Sequence, residues 1–294
     1  LLAFKKEHHL AVPMLIEALE SRKRLYDGRH KVVFESMWAV ATSAQSLGDT
    51  DRSLNAYSEL VSKKNIIKDL PVDIIHVYNS AGKLYFEDGH ADKSVASFRQ
   101  AVKEAETRHD DEQKYVAELN LANALSSVGM SDEAMELFDK LVSKKALKLS
   151  KIFFLALFNK SLLLLKMGED DEAYEILCNI EETGSANADD IRGRVYLLLG
   201  IFAISNFQRN KARVHFEKSL IAAGDDLSSI VQAKKGISLS HLLSMQYERA
   251  INTLDDLLAD DNDFVGDVLR FDRVTYMSVS HTNTSRGYET IRIS

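Results

Sequence analysis

Residues 78–101, YNSAGKLYFEDGHADKSVASFRQA, decide the fold. Ahead of Gly89 the pattern is Tyr78-x-x-Ala81-Gly82-x-x-Tyr85, with apolar and small residues at three- and four-residue steps, the stripe of a helix. Behind Gly89 a small residue, Ser94, is followed by a large one, Phe98, and then by Ala101 at the same kind of step. Small residues let two helix backbones approach closely, and the large residue one turn on fills the gap beside that contact. Gly89 lies where the first helix has to end in a left-handed residue, a conformation glycine adopts without penalty. The stretch therefore predicts two antiparallel helices joined by a tight turn.

The same reading extends outward in both directions. Gly48 is followed by Ser53, Tyr57 and Leu60, Gly129 by Ala134, Phe138 and Leu141, and Gly168 by Ala173, Leu177 and Ile180. Two further copies lack the glycine but keep the rest: Ala212, Phe216, Ser219 and Ala250, Leu254, Leu257. Ala11, Leu15 and Ala18 repeat the spacing near the start, and Ile291 takes the small-residue place near the end. The markers at 11, 53, 94, 134, 173, 212, 250 and 291 are 42, 41, 40, 39, 39, 38 and 41 residues apart. Acidic residues follow the turns (Asp49 and Asp51, Asp92, Asp132 and Glu133, Glu169 to Glu172), where negative charge favours the start of the next helix.

On these residues the chain resembles the tetratricopeptide repeat over its whole length, most closely through Tyr78 to Ala101. A period of about 40 residues exceeds the commonest form of that repeat, roughly 34 residues. Longer units resemble the arrays of kinesin light chains and of large bacterial signalling regulators. HEAT-type repeats also have long periods but do not predict this small-large spacing after a turn glycine. The resemblance implies an all-α fold, a right-handed superhelical solenoid of antiparallel helix pairs. Whole repeats are expected at about 31–70, 71–110, 111–148, 149–187, 188–225 and 226–263, with partial repeats at 1–30 and 264–294. Because both end units are incomplete, the segment is expected to belong to a larger protein. The β-branched run at 273–285 reads either as a strand or, in phase with the repeat, as part of a first helix at roughly 264–282.

Composition agrees and narrows the function. The chain has 294 residues, with 13 Gly, 2 Pro and 45% hydrophobic residues. So few breakers argue for helices, and the apolar fraction excludes wholesale disorder. A single cysteine, Cys178, excludes an intramolecular disulfide framework, and its place beside Leu177 in a second helix predicts a buried thiol. The net charge of −7 is a poor match for nucleic acid or an anionic membrane. Ile152 to Leu165 is the most apolar run, too short to span a bilayer and interrupted by Lys160. The opening, LLAFKKEHHL, lacks the pattern of a secretory signal, and the cytoplasm is the expected compartment.

No motif for nucleophilic, metal-dependent or nucleotide chemistry is present, so neither an enzyme nor a cofactor is expected. His8-His9, His241 and His281 lack metal-ligand spacing, and Glu169 to Glu172 lacks the alternation of a calcium loop. Gly184-Ser185 and Gly224-Asp225 read as linkers between units. A protein or peptide is the expected partner. The resemblance places the binding surface on the first helix of each pair: Trp38, Thr42 and Gln45, then Asn79, Lys83 and Phe86, then Asn120 and Asn123, then Phe158 and Asn159, then Arg194 and Lys235. A side-chain amide offers donor and acceptor together, matching an extended peptide backbone. Trp38 and Phe86 read either as packing residues or as exposed anchors. Leu155 and Asn159 hold the places where a carboxylate clamp would need basic residues. A second expectation is a sensory segment fused to a DNA-binding or nucleotide-cyclase output domain outside the chain.

Overall fold

The computed structural model describes residues 8–26, 30–63 and 73–258. The expected partial repeat at 264–294, the strand-or-helix run at 273–285 and His281 lie outside them. The chain forms two compact units, Leu1–Lys148 and Leu149–Ser294. Among the described residues every regular element is helical.

In the first unit α1 (His8–Leu25) packs on α2 (Lys31–Ser46), which pairs with α3 (Thr50–Ser62). Then α4 (Ile74–Glu87) pairs with α5 (Ala91–Arg108), and α6 (Asp111–Ser127) with α7 (Ser131–Ser143), before a single 3₁₀ turn at Lys145–Leu147. The second unit repeats the scheme with α8 (Lys151–Met167) and α9 (Asp170–Thr183), α10 (Asp189–Ser205) and α11 (Arg209–Ala222), and α12 (Leu227–Leu243) and α13 (Tyr247–Leu258). No described helix is long and apolar enough to cross a membrane.

Each pair places two small residues twelve positions apart, and in three of the pairs the two are hydrogen-bonded across the helices. These are Ala41 with Ser53, Gly82 with Ser94, Ala122 with Ala134, Ser161 with Ala173, Gly200 with Ala212, and Ser238 with Ala250, and all are buried. Where one is serine, its hydroxyl can bridge the helices: Ser53 Oγ donates to the Ala41 carbonyl, Ser94 Oγ to Gly82 and Ser238 Oγ to Ala250, each at 2.8 Å. The large residue one turn on fills the space beside the contact. A Cβ on Gly82 would lie 2.7 Å from the Phe98 ring, and the Phe216 ring is held between Gly200 and Gly236, each leaving only 2.5 Å for a Cβ. In α1 the register differs, because Val12 and Leu19 are buried where Leu15 and Ala18 were expected. Among the described residues this helix packs mainly on α2 and reaches α3 through the Lys23–Glu59 ion pair at 3.2 Å.

All six turns share one hydrogen-bond scheme. The residue after the left-handed position donates to a carbonyl five places back: Asp49 to Ala44, His90 to Tyr85, Met130 to Leu125, Glu169 to Leu164, Gln208 to Ala203 and Gln246 to His241, at 2.8–3.0 Å. This satisfies carbonyls that the helix end would leave orphaned. Gly48, Gly89, Gly129 and Gly168 hold the left-handed place with φ between 75° and 85°, as their spacing implied. Phe207 and Met245 hold it in the last two turns, at φ 57° and 59°. Several first helices start on side-chain caps, Asp73 accepting from the Ile75 amide, Asp110 from Gln113 and Ser150 from Phe153, whereas α10 has none.

Cys178 is half-buried rather than buried. Leu177 takes the packing position, and the next residue on a helix points about 100° away.

Candidate functional site

The site is built in the first unit, where α4 and α6 run side by side against α5. Asn79 on α4 and Asn120 on α6 meet, with Asn120 Nδ2 donating to Asn79 Oδ1 at 3.4 Å. One turn along, Lys83, Phe86, Glu87, Asn120 and Asn123 surround a cavity of about 120 Å³. The Phe98 ring, pressed on Gly82, forms part of its lining. Phe86 is 44% exposed and presents an apolar face to the opening. Lys83 is exposed and makes no ion pair or hydrogen bond among the described residues. The cavity thus offers an aromatic lining, amide donors and acceptors, and one cation at its rim. It has the size of a side chain, not of a cofactor.

Four expected binding residues (Lys83, Phe86, Asn120, Asn123) therefore come together. Of these, Asn120 donates to Asn79 and Asn123 is engaged with a neighbouring group, and the other expected residues are likewise taken up. Asn79 is only 5% exposed, and its amide is used in the contact with Asn120. Gln45 Oε1 accepts the Tyr57 hydroxyl at 2.8 Å, fixing α2 to α3. The Thr42 hydroxyl bonds back to the Trp38 carbonyl at 3.0 Å. Trp38 is half-buried, edge-on to Tyr57 and to His76.

In the second unit Phe158 is 1% exposed, a core residue rather than a lining one. The exposed Arg194 on α10 covers it, its guanidinium carbon 4.7 Å from the ring centroid, so the two form a cation–π pair. Asn159 and Lys235 are half-buried and already engaged with neighbouring groups. Glu87 and Phe98 were missed as lining residues. Glu87 ends its helix with no pattern to mark it, and Phe98 reads in the sequence only as the packing residue that it also is.

Residues 75–108 match the family model described as tetratricopeptide repeat. Solved structures share the fold. A tetratricopeptide repeat protein from Parabacteroides merdae aligns with a TM-score of 0.61 at 16% identity, over 94% of this chain and 97% of that one. The apo form of the quorum sensor NprR from B. thuringiensis aligns at 0.64 and 11% identity, over 92% and 80%. The C-terminal part of a TPR repeat-containing protein from Cytophaga hutchinsonii aligns at 0.54 and 12% identity, over 90% and 96%. Among curated proteins none matches the sequence. At these identities the likeness is one of fold. Residues 75–108 thus carry a tetratricopeptide-repeat motif, and the same arrangement of helix pair and turn recurs through both units.

Proposed function

We propose that the chain is a non-catalytic scaffold that holds a protein or peptide segment against α4 and α6 of its first unit. The observation that carries this reading is the convergence of Lys83, Phe86, Asn120 and Asn123 on one side-chain-sized cavity. An extended segment would place an apolar side chain on Phe86 and Phe98, with the amides of Asn120 and Asn123 meeting its backbone. The reading includes no cofactor, a cytoplasmic setting, and neither nucleic acid nor membrane as partner of this segment, in keeping with a net charge of −7.

Displayed random peptides selected on the wild-type chain test it. Peptides that lose about tenfold in affinity on Phe86→Ala or Asn123→Ala, with the melting temperature unchanged, are expected. Selected peptides indifferent to both substitutions would remove the pocket from the reading.

The fold shared with a quorum sensor supports a second reading, in which effector binding biases an output domain fused to this segment. Sequencing past Leu1 and Ser294 decides it: an adjoining DNA-binding or nucleotide-cyclase domain is expected, and its absence rules the fusion out.

A further inference from the structure

The second unit breaks two regularities of the fold, and both are broken together at the α10–α11 turn. The first is the turn residue. Four turns place glycine in the left-handed conformation, whereas the α10–α11 turn places Phe207 there and the α12–α13 turn places Met245. Bulky residues are disfavoured in that region. Both side chains also point into water, Phe207 84% and Met245 68% exposed. The turn itself does not need them, since its hydrogen bonds are those of the glycine turns.

The second regularity is charge. α3, α5, α7, α9 and α13 all carry acidic residues in the first turn, Glu248 in α13, but α11 has none and begins with Arg209 and Lys211. Cations there oppose the helix dipole, in a chain whose net charge is −7. Arg209 makes no ion pair or hydrogen bond among the described residues, and Lys211 Nζ is 3.2 Å from the Tyr174 hydroxyl. The two departures adjoin: Phe207 to Lys211 and Ser244, the residue before Met245, border an open cavity of about 630 Å³.

We infer that this turn edge is a docking surface for an acidic protein segment bearing a large apolar side chain. Phe207 and Met245 supply apolar contact, and Arg209 and Lys211 select negative charge against the chain's own overall sign. Two residues that local stability disfavours are accounted for together by a contact made only with a partner. The surface is separate from the α4–α6 cavity and does not depend on the reading given to it.

Selection of displayed random peptides on the wild-type chain, with Phe207→Gly, Met245→Gly and the double variant Arg209→Glu/Lys211→Glu as comparisons, tests the inference. The expected result is a population rich in Asp and Glu around an aromatic or aliphatic residue. It should lose about tenfold or more in affinity on each variant, and weaken as salt is raised. Phe207→Gly should melt higher than wild type, so its loss of binding would not reflect misfolding. If no selected peptide responds to these variants, or if those that respond are not acidic, the inference is overturned. Peptides sensitive to Phe86→Ala but not to Phe207→Gly belong to the other site and count against this one.

Discussion

At the scale of the residue, the fold rests on positions where side-chain size is fixed by a neighbouring backbone. Gly200 is one, because the Phe216 ring is confined by Gly236 on its other side and cannot withdraw. Gly200→Val should destabilise the protein by about 2 kcal/mol or more, since overpacking outweighs the small gain in helix propensity; urea denaturation measures it. Phe207 is the converse case. Phe207→Gly should stabilise by about 1 kcal/mol by relieving left-handed strain, read as a melting temperature about 2 °C higher. These two positions also show what the sequence makes legible. Gly48 and Gly89 announce their turns because glycine is the residue such turns favour. Phe207 and Met245 do not, since nothing local marks an aromatic or a thioether as left-handed. Their turns were placed only through the phase of Ala212 and Ala250.

At the scale of the element, two buried ionisable groups control how helices pack. Glu118 on α6 is 1% exposed and holds Lys140 of α7 at 2.6 Å, while its Oε2 has no hydrogen-bond partner among the described residues. Lys140→Met should cost about 2 kcal/mol by stranding that carboxylate. Adding Glu118→Gln should recover most of the loss, and a double-mutant cycle measures the coupling. His215 on α11 is buried 3.8 Å from Glu181, which is itself bonded to Lys218 at 2.7 Å. Burial, with smaller contributions from Lys218 and Lys211, holds its pKa below the ordinary 6.5 despite Glu181. The unfolded chain therefore takes up the proton first. Stability is complete above about pH 6.5 and falls as pH drops through the folded value. Thermal melts from pH 7.5 to 5 should fall more steeply for wild type than for His215→Leu. Neither group was visible in the sequence, because Glu118 and His215 sit at ordinary helical positions and only the packing of a neighbouring helix closes over them.

At the scale of the whole chain, contacts are made between neighbours, within two units. Repeat arrays lose stability locally when one contact is broken. Gly200→Val should therefore lower hydrogen-exchange protection in α10–α12 and leave α2–α5 unchanged. The helix pairs were legible because their spacing recurs along the sequence. The binding surface was legible only in part. Helical phase identifies residues beside the packing stripe, but not which of them a neighbour covers. Asn79 lies under Asn120, and Phe158 lies under Arg194.

The twelve-residue spacing of the small contacts carries a consequence for insertions and deletions. Successive contacts, beginning at 41, 82, 122, 161, 200 and 238, are 41, 40, 39, 39 and 38 residues apart, yet the spacing within each pair never changes. One residue added between Gly129 and Ala134 would rotate α7 by about 100° and bring Glu133 against Ala122. One added at Lys145–Leu147 would leave every pair in phase. Chain length is free to drift between the hairpins and is locked inside them.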